Sequence, residues 1–233
     1  TAWLWNVKTR ACLNVFSGHS GSVTTGGFTS DGKLLVTGSE DASVRIWNPV
    51  TAECVHVFQP NEILFTVAPI TAFKSSKLEP NLILTAAEDG TAQLSHIGHK
   101  KTLGVLRGHE ESIETVDMSA FQSGVPLPPL MATGAMDNKV SLWDMGTMAL
   151  RQTLKHGDGV TRVLFDEEQP LVYSCSVDRT ICVWDVRTNT PIRTLRGHRD
   201  IVLDIVKANQ YLISCSDDSS VLIFSLLDQP QQT

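Results

Sequence analysis

Three times in this 233-residue chain an aspartate is followed six positions later by a tryptophan, and each aspartate has a Ser or Thr four positions before it. The copies are Thr37 and Asp41 with Trp47, Thr133 and Asp137 with Trp143, and Ser174 and Asp178 with Trp184. Ser214 and Asp218 keep the register with Phe224 in place of the indole, and Thr85 and Asp89 keep it with Ser95. Counting Trp5 as the first, the positions 5, 47, 95, 143, 184 and 224 lie 40 to 48 residues apart. A chain self-similar at such a period is built of structural units that cannot bury an apolar face alone and must stack on one another.

Within each unit, short runs rich in Val, Ile, Leu and Thr alternate with Gly, Asp, Asn and Ser, the composition of strands and tight turns. Leu34-Leu35-Val36-Thr37 and Val44-Arg45-Ile46-Trp47 are one such pair. The turn signals lie too close together for helices between strands, so the chain reads as all-β.

A Gly-His pair precedes the units at Gly18-His19, Gly108-His109 and Gly197-His198, with Lys155-His156 in the same place. Trp-Asp closes them at Trp143-Asp144 and Trp184-Asp185, softened to Trp47-Asn48 and Trp5-Asn6. This pattern resembles the WD40 repeat, whose units are four-stranded antiparallel blades of a β-propeller. The resemblance implies a buried chain in each blade, from the indole N–H to the Ser or Thr hydroxyl, to His, to Asp. It assigns these tetrads to His19, Thr37, Asp41 and Trp47; His109, Thr133, Asp137 and Trp143; His156, Ser174, Asp178 and Trp184; and His198, Ser214 and Asp218, where Phe224 cannot donate. The second unit keeps Thr85 and Asp89 but has neither His nor Trp.

The expected organisation is one domain: residues 1–17 as the last two strands of a blade, repeats at 18–57, 108–155, 156–196 and 197–228, a degenerate repeat at 58–107, and a tail at 229–233. A closed seven-blade ring needs roughly 300 residues. Five complete repeats and a partial one therefore read as the C-terminal part of a seven- or eight-blade ring, the alternative being a five-blade ring with an extra edge strand.

Composition narrows the function. The 19 Lys and Arg against 25 Asp and Glu give a net charge of −6, which opposes general nucleic-acid binding and favours basic partners or plain solubility. Five scattered cysteines, Cys12, Cys54, Cys175, Cys182 and Cys215, suit a reduced, intracellular setting, in the cytoplasm with the nucleus left open. No 18-residue apolar run predicts a membrane span. Ser, His and Asp recur blade after blade, which suits a structural network better than a catalytic triad, so an enzyme is not expected. His96-Ile-Gly-His99 has metal-like spacing but reads as a turn, and no cofactor or small-molecule motif is present. The proline-rich segment Gly124 to Leu130 reads as a stiff loop.

By the family's geometry, the loops carrying the tetrad His and Asp share one end of every blade. Their neighbours are Glu40, Glu88, Glu110, Glu111, Asp158, Asp200 and Asp217, with Lys139, Arg179 and Arg199 among them. Such a face would hold a Lys/Arg-rich segment by charge complementarity, although a solvated loop face reads the composition equally well.

The segments Trp5 to His19 and Asp31 to Pro49, with Ala132 to Asp137 and Gly159-Val-Thr-Arg162, look like the angio-associated migratory cell protein family. Its fungal counterpart is a dedicated chaperone of a basic large-subunit ribosomal protein. The resemblance implies a ribosome-assembly role in which the acidic face shields a basic segment of a newly made ribosomal protein. A second reading rests on Trp184-Asp185-Val186-Arg187, which is similar to the Trp-Asp-x-Arg box of cullin-RING substrate receptors; there Asp185 and Arg187 would dock an adaptor. A signalling scaffold is a third.

Overall fold

The computed structural model describes residues 1–59, 68–121, 127–188 and 190–227, so the first part of the proline-rich segment and the tail at 229–233 lie outside the described residues. Among the described residues every regular element is a β-strand. The chain forms two compact units, Thr1–Ile113 and Glu114–Thr233.

The first unit opens with β1 (Ala2–Trp5) and β2 (Cys12–Phe16), paired antiparallel. A four-stranded sheet follows: β3 (Val23–Phe28), β4 (Leu35–Ser39), β5 (Val44–Trp47) and β6 (Cys54–Phe58). Phe58 pairs with Val44, so this blade runs one residue past the repeat boundary expected at 57. The next sheet is β7 (Ile70–Ser75), β8 (Leu82–Ala87), β9 (Thr91–His96) and β10 (Lys101–Arg107).

The third sheet comprises β11 (Ile113–Met118), β12 (Leu130–Ala135), β13 (Lys139–Asp144) and β14 (Leu150–Lys155). The fourth comprises β15 (Val160–Phe165), β16 (Leu171–Ser176), β17 (Ile181–Asp185) and β18 (Thr190–Leu195). Three strands complete the second unit: β19 (Val202–Ala208), β20 (Tyr211–Ser216) and β21 (Val221–Ser225). Each sheet meanders in chain order, as short turns between antiparallel strands dictate.

Sheets pack face to face because alternate residues of a strand point to opposite sides and both sides here are apolar. Val36, Val44 and Ile46 meet Ala68, Ile70 and Ile83 of the following sheet. Leu130, Val140 and Leu142 meet Val160, Val163 and Phe165, while Tyr173, Ile181 and Val183 meet Val202, Ile205 and Leu212. Threonines on first strands join neighbouring sheets: Thr24 and Thr71 donate to the carbonyls of Ile70 and Ile113, and Thr161 donates to that of Val202 at 2.5 Å. Gly38 and Gly134 sit where sheets approach most closely. A Cβ on Gly38 would stand 2.5 Å from Ile70 Cγ2, and one on Gly134 would stand 2.7 Å from Val160 Cγ1.

Candidate protein-interaction site

Each tetrad begins with a hydroxyl in the middle of the second strand of a sheet. Trp47 Nε1 donates to Thr37 Oγ1 at 2.8 Å; that oxygen meets His19 Nε2 at 2.8 Å, and His19 Nδ1 meets Asp41 Oδ2 at 3.0 Å. In the fourth sheet Trp184 Nε1 donates to Ser174 Oγ at 2.8 Å, His156 Nε2 lies 2.7 Å from the same oxygen, and His156 Nδ1 lies 3.2 Å from Asp178. In the last sheet His198 joins Ser214 at 2.7 Å and Asp218 at 3.1 Å. Phe224 supplies no donor there, so the hydroxyl serves the histidine alone. Trp143 Nε1 donates to Thr133 Oγ1 at 2.9 Å. His109 and Asp137 belong to different units.

The aspartates also close their turns. Asp41 accepts from the backbone N–H groups of Ser20 and Ser43, and Asp178 from those of Gly157 and Thr180. Burial works to raise both carboxyl pKa values, but the hydroxyl, backbone and histidine bonds outweigh it and hold them below the ordinary carboxylate range. Burial pushes His156 down, against the pull of Asp178, and so favours the neutral ring. The residue after each tetrad aspartate adopts a left-handed backbone: Ala42 (φ 61°), Gly90 (76°), Asn138 (67°), Arg179 (69°) and Ser219 (65°). At Gly90 a Cβ would stand 2.8 Å from the His109 carbonyl oxygen and 3.0 Å from that of Glu111, so this turn needs glycine to pack on the loop that follows β10.

The second sheet of the first unit is built differently. Asp89 Oδ1 accepts from Thr91 N at 3.0 Å and from Thr91 Oγ1 at 2.7 Å, and Gln93 Nε2 donates to Ser95 Oγ at 3.0 Å and to Thr102 Oγ1. An amide on the third strand thus links Ser95, which stands at the position of the indole, to Thr102 on the fourth strand. The other Asp89 oxygen is buried without a partner.

These networks fix the loops that carry the acidic candidates. Glu40, Glu88 and Asp217 each precede the turn aspartate, and Glu110, Glu111, Asp158 and Asp200 lie in the loops entering a first strand. All seven are exposed. The His–Asp bonds place the entering loop and the turn at the same end of the sheet. In the first unit that end carries Glu40, Glu88, Glu110 and Glu111; in the second it carries Asp158, Asp200 and Asp217. Several have local duties: Glu40 accepts from Ser22 N at 3.2 Å, Asp158 from Gly159 N at 2.8 Å and Asp200 from Ile201 N at 2.9 Å. Arg179 and Arg199 stand in the same loops of the second unit, and Lys139 pairs with Asp137 at 3.4 Å.

Asp185 and Arg187 lie at the opposite end of their sheet. The Arg187 guanidinium holds Asp185 through two nitrogens, at 3.1 and 2.7 Å, lowering the carboxyl pKa. His96 and His99 stack with ring centroids 4.0 Å apart; His96 Nε2 meets Glu79 at 3.1 Å while its Nδ1 accepts from His99 N, so neither nitrogen faces a common ligand position.

Sequence reasoning missed a buried node between the last two sheets. Tyr173 Oη donates to Asp166 at 2.6 Å, and Lys207 Nζ reaches the same oxygen at 2.8 Å. Burial works to raise the Asp166 pKa, yet Lys207, Tyr173 and two backbone N–H groups keep it low. No residue spacing points to this trio, because its members come from three different positions of the repeat. The threonines joining the sheets did have a signal: each follows a Val or Ile at the start of a first strand, in Val23-Thr24, Ile70-Thr71 and Val160-Thr161.

Antiparallel meanders with a His–Ser/Thr–Trp chain tied to a turn aspartate define a protein of the β-propeller class. The family model of the WD domain, G-beta repeat, matches residues 10–48, 100–144, 148–185 and 189–225, and the chain belongs to the WD40 repeat family. The unmatched stretch between 49 and 99 contains β7, β8 and β9 of the sheet that has neither the tetrad His nor the Trp. The angio-associated migratory cell protein of Canis lupus familiaris is 30% identical over 95% of this chain and 53% of its own length. A WD repeat-containing protein of Schizosaccharomyces pombe is 27% identical over 91% of the chain and 54% of its own length. The periodic tryptophan protein 2 homolog of Dictyostelium discoideum is 27% identical over 92% and 23%. The chain spans about half the length of the first two. WD40 repeat proteins act as protein-interaction scaffolds and are generally non-catalytic.

Proposed function

We propose that this chain is a non-catalytic scaffold whose acidic loops hold a basic segment of another protein, and that this partner is a newly made large-subunit ribosomal protein. The observation that carries the reading is the placement of Glu40, Glu88, Glu110, Glu111, Asp158, Asp200 and Asp217. All are exposed; Glu40, Asp158, Asp200 and Asp217 stand in loops and turns tied by His–Asp bonds, Glu88 precedes the turn at Asp89, and Glu110 and Glu111 follow His109 in the loop on which Gly90 packs. Carboxylates on turns held by buried hydrogen bonds lose little further entropy on binding, which favours their use as a contact surface. Resemblance to the angio-associated migratory cell protein supports the ribosomal partner. Covering a Lys/Arg-rich segment would keep it from aggregating or binding RNA before assembly, and the cytoplasm is where such a segment is first made.

The test is purification of the full-length protein from its own cells at moderate salt, with mass spectrometry of what co-elutes. One basic ribosomal protein in near-equal amount, lost as salt rises, is expected. A set of unrelated acidic or neutral proteins, or a cullin adaptor docked through Asp185 and Arg187, would replace this reading.

A further inference from the structure

The second unit carries a cleft of about 340 Å³ at the end of its sheets opposite Asp158, between the β13–β14 and β17 edges. Its apolar lining is Leu127, Leu130, Leu142 and Val186, the last three of them buried in the packed layer between these sheets. Its polar lining is Arg151, Gln152 and Arg187. The two ionisable groups lining the cleft are therefore both guanidinium ions, in a chain whose net charge is −6.

Both arginines are held in place from outside the cleft. Asp144 takes Arg151 through Nε at 3.3 Å, and Asp185 takes Arg187 through Nε and one terminal nitrogen. Their side chains remain 46% and 57% exposed. A guanidinium has five N–H donors in a fixed fork, so one carboxylate orients it and leaves donors for a second. Arginine beside an apolar pocket is a recurrent anchor of protein interfaces.

We infer that this cleft is a docking site for a partner segment carrying an apolar side chain of leucine size next to a carboxylate: the side chain enters between Leu127, Leu142 and Val186, and the carboxylate takes Arg151 and Arg187. The donors that each paired guanidinium keeps free select this occupant, since a carboxylate can accept from them and a Lys or Arg side chain cannot. The site stands apart from the acidic-loop reading and survives its failure.

The test uses N-acetyl-leucine as the probe on the full chain with methyl-labelled Leu and Val, followed by NMR. Saturable shifts of the Leu127, Leu130, Leu142 and Val186 methyls in the millimolar range are expected, as befits a ligand of this size. N-acetyl-leucinamide, which lacks the carboxylate, should bind roughly fivefold more weakly or worse, and Arg151→Gln with Arg187→Gln should remove the difference between the two. Equal binding of acid and amide to the unaltered chain would overturn the inference without recourse to a variant, and so would shifts elsewhere or none.

Discussion

The tetrad hydroxyl has the most consequential position at the scale of single residues, because one oxygen serves two buried partners. Thr37 Oγ1 accepts from the Trp47 indole and meets His19, and all three side chains are shielded from water. Thr37→Val keeps the shape and strands both partners, which should lower unfolding free energy by about 2–4 kcal/mol. Urea denaturation followed by tryptophan fluorescence measures this, and a change below about 0.5 kcal/mol would mean that water replaces the hydroxyl. Protonation acts on the same network. Asp41 and Asp178 have folded-state pKa values below those of the unfolded chain. The unfolded state therefore binds more protons in acid, and their stabilisation, complete above about pH 4, disappears as pH falls through the folded values. The lowered His156 acts in the same direction from its unfolded value of about 6.5 downward, since the unfolded ring takes up a proton that the buried ring resists. Stability should thus decline from about pH 6.5 and fall more steeply below about pH 4, as melting temperatures over that range would reveal.

Turn and strand positions explain what repeats without being identical. Five turns place a left-handed residue after the aspartate, and only Gly90 is a glycine. Arg179 holds that conformation with an exposed side chain. Arg179→Gly should raise stability by about 0.5–1 kcal/mol by removing the Cβ clash, less what the backbone gains in unfolded freedom. Thermal unfolding decides, and destabilisation would show that the long Arg179 contact with the Arg199 carbonyl matters more than the backbone. Strand residues differ by what covers them. Val140 and Leu142 of β13 are 0% and 1% exposed beneath the following sheet, whereas Val221 and Ile223, at the same places in β21, are 63% and 65% exposed. Replacing Val221 and Ile223 of this 233-residue chain with Thr should change its stability by less than about 0.5 kcal/mol each and increase its solubility. Leu142→Ala in β13 should cost about 2–5 kcal/mol. Chemical denaturation of the three variants side by side would distinguish the positions.

The charge of the whole molecule decides what can approach it. The chain carries −6 in total, with exposed carboxylates in the tetrad loops of both units. A Lys/Arg-rich peptide should therefore bind more weakly as salt rises from tens to hundreds of millimolar, since exposed charges are screened over about 10 Å. Glu110→Lys, Glu111→Lys and Asp158→Lys together should weaken the binding and flatten its salt dependence. Calorimetry at two salt concentrations would show this, and an unchanged affinity would remove the charge-based part of the proposed function.

The repeat register and its resemblance to the WD40 repeat foretold the four-stranded meanders and the hydrogen-bond chains found at Thr37, Ser174 and Ser214, because His, Ser or Thr and Asp recur there at the offsets that let them meet within one sheet. Periodicity also identified the repeat at 58–107 as degenerate, where Gln93 donates to Ser95 and Thr102. Only the tertiary structure decided which sheet covers which strand, as where Val140 and Leu142 lie beneath Val160, Val163 and Phe165. It alone joined Asp166 to Tyr173 and Lys207, and it alone set Arg151 and Arg187 on either side of an apolar cleft. Lys207 belongs to a later repeat than Asp166 and Tyr173, and Arg151 and Arg187 belong to neighbouring repeats at unequal positions, so no spacing in the chain encodes those meetings; the packing of one sheet on the next does.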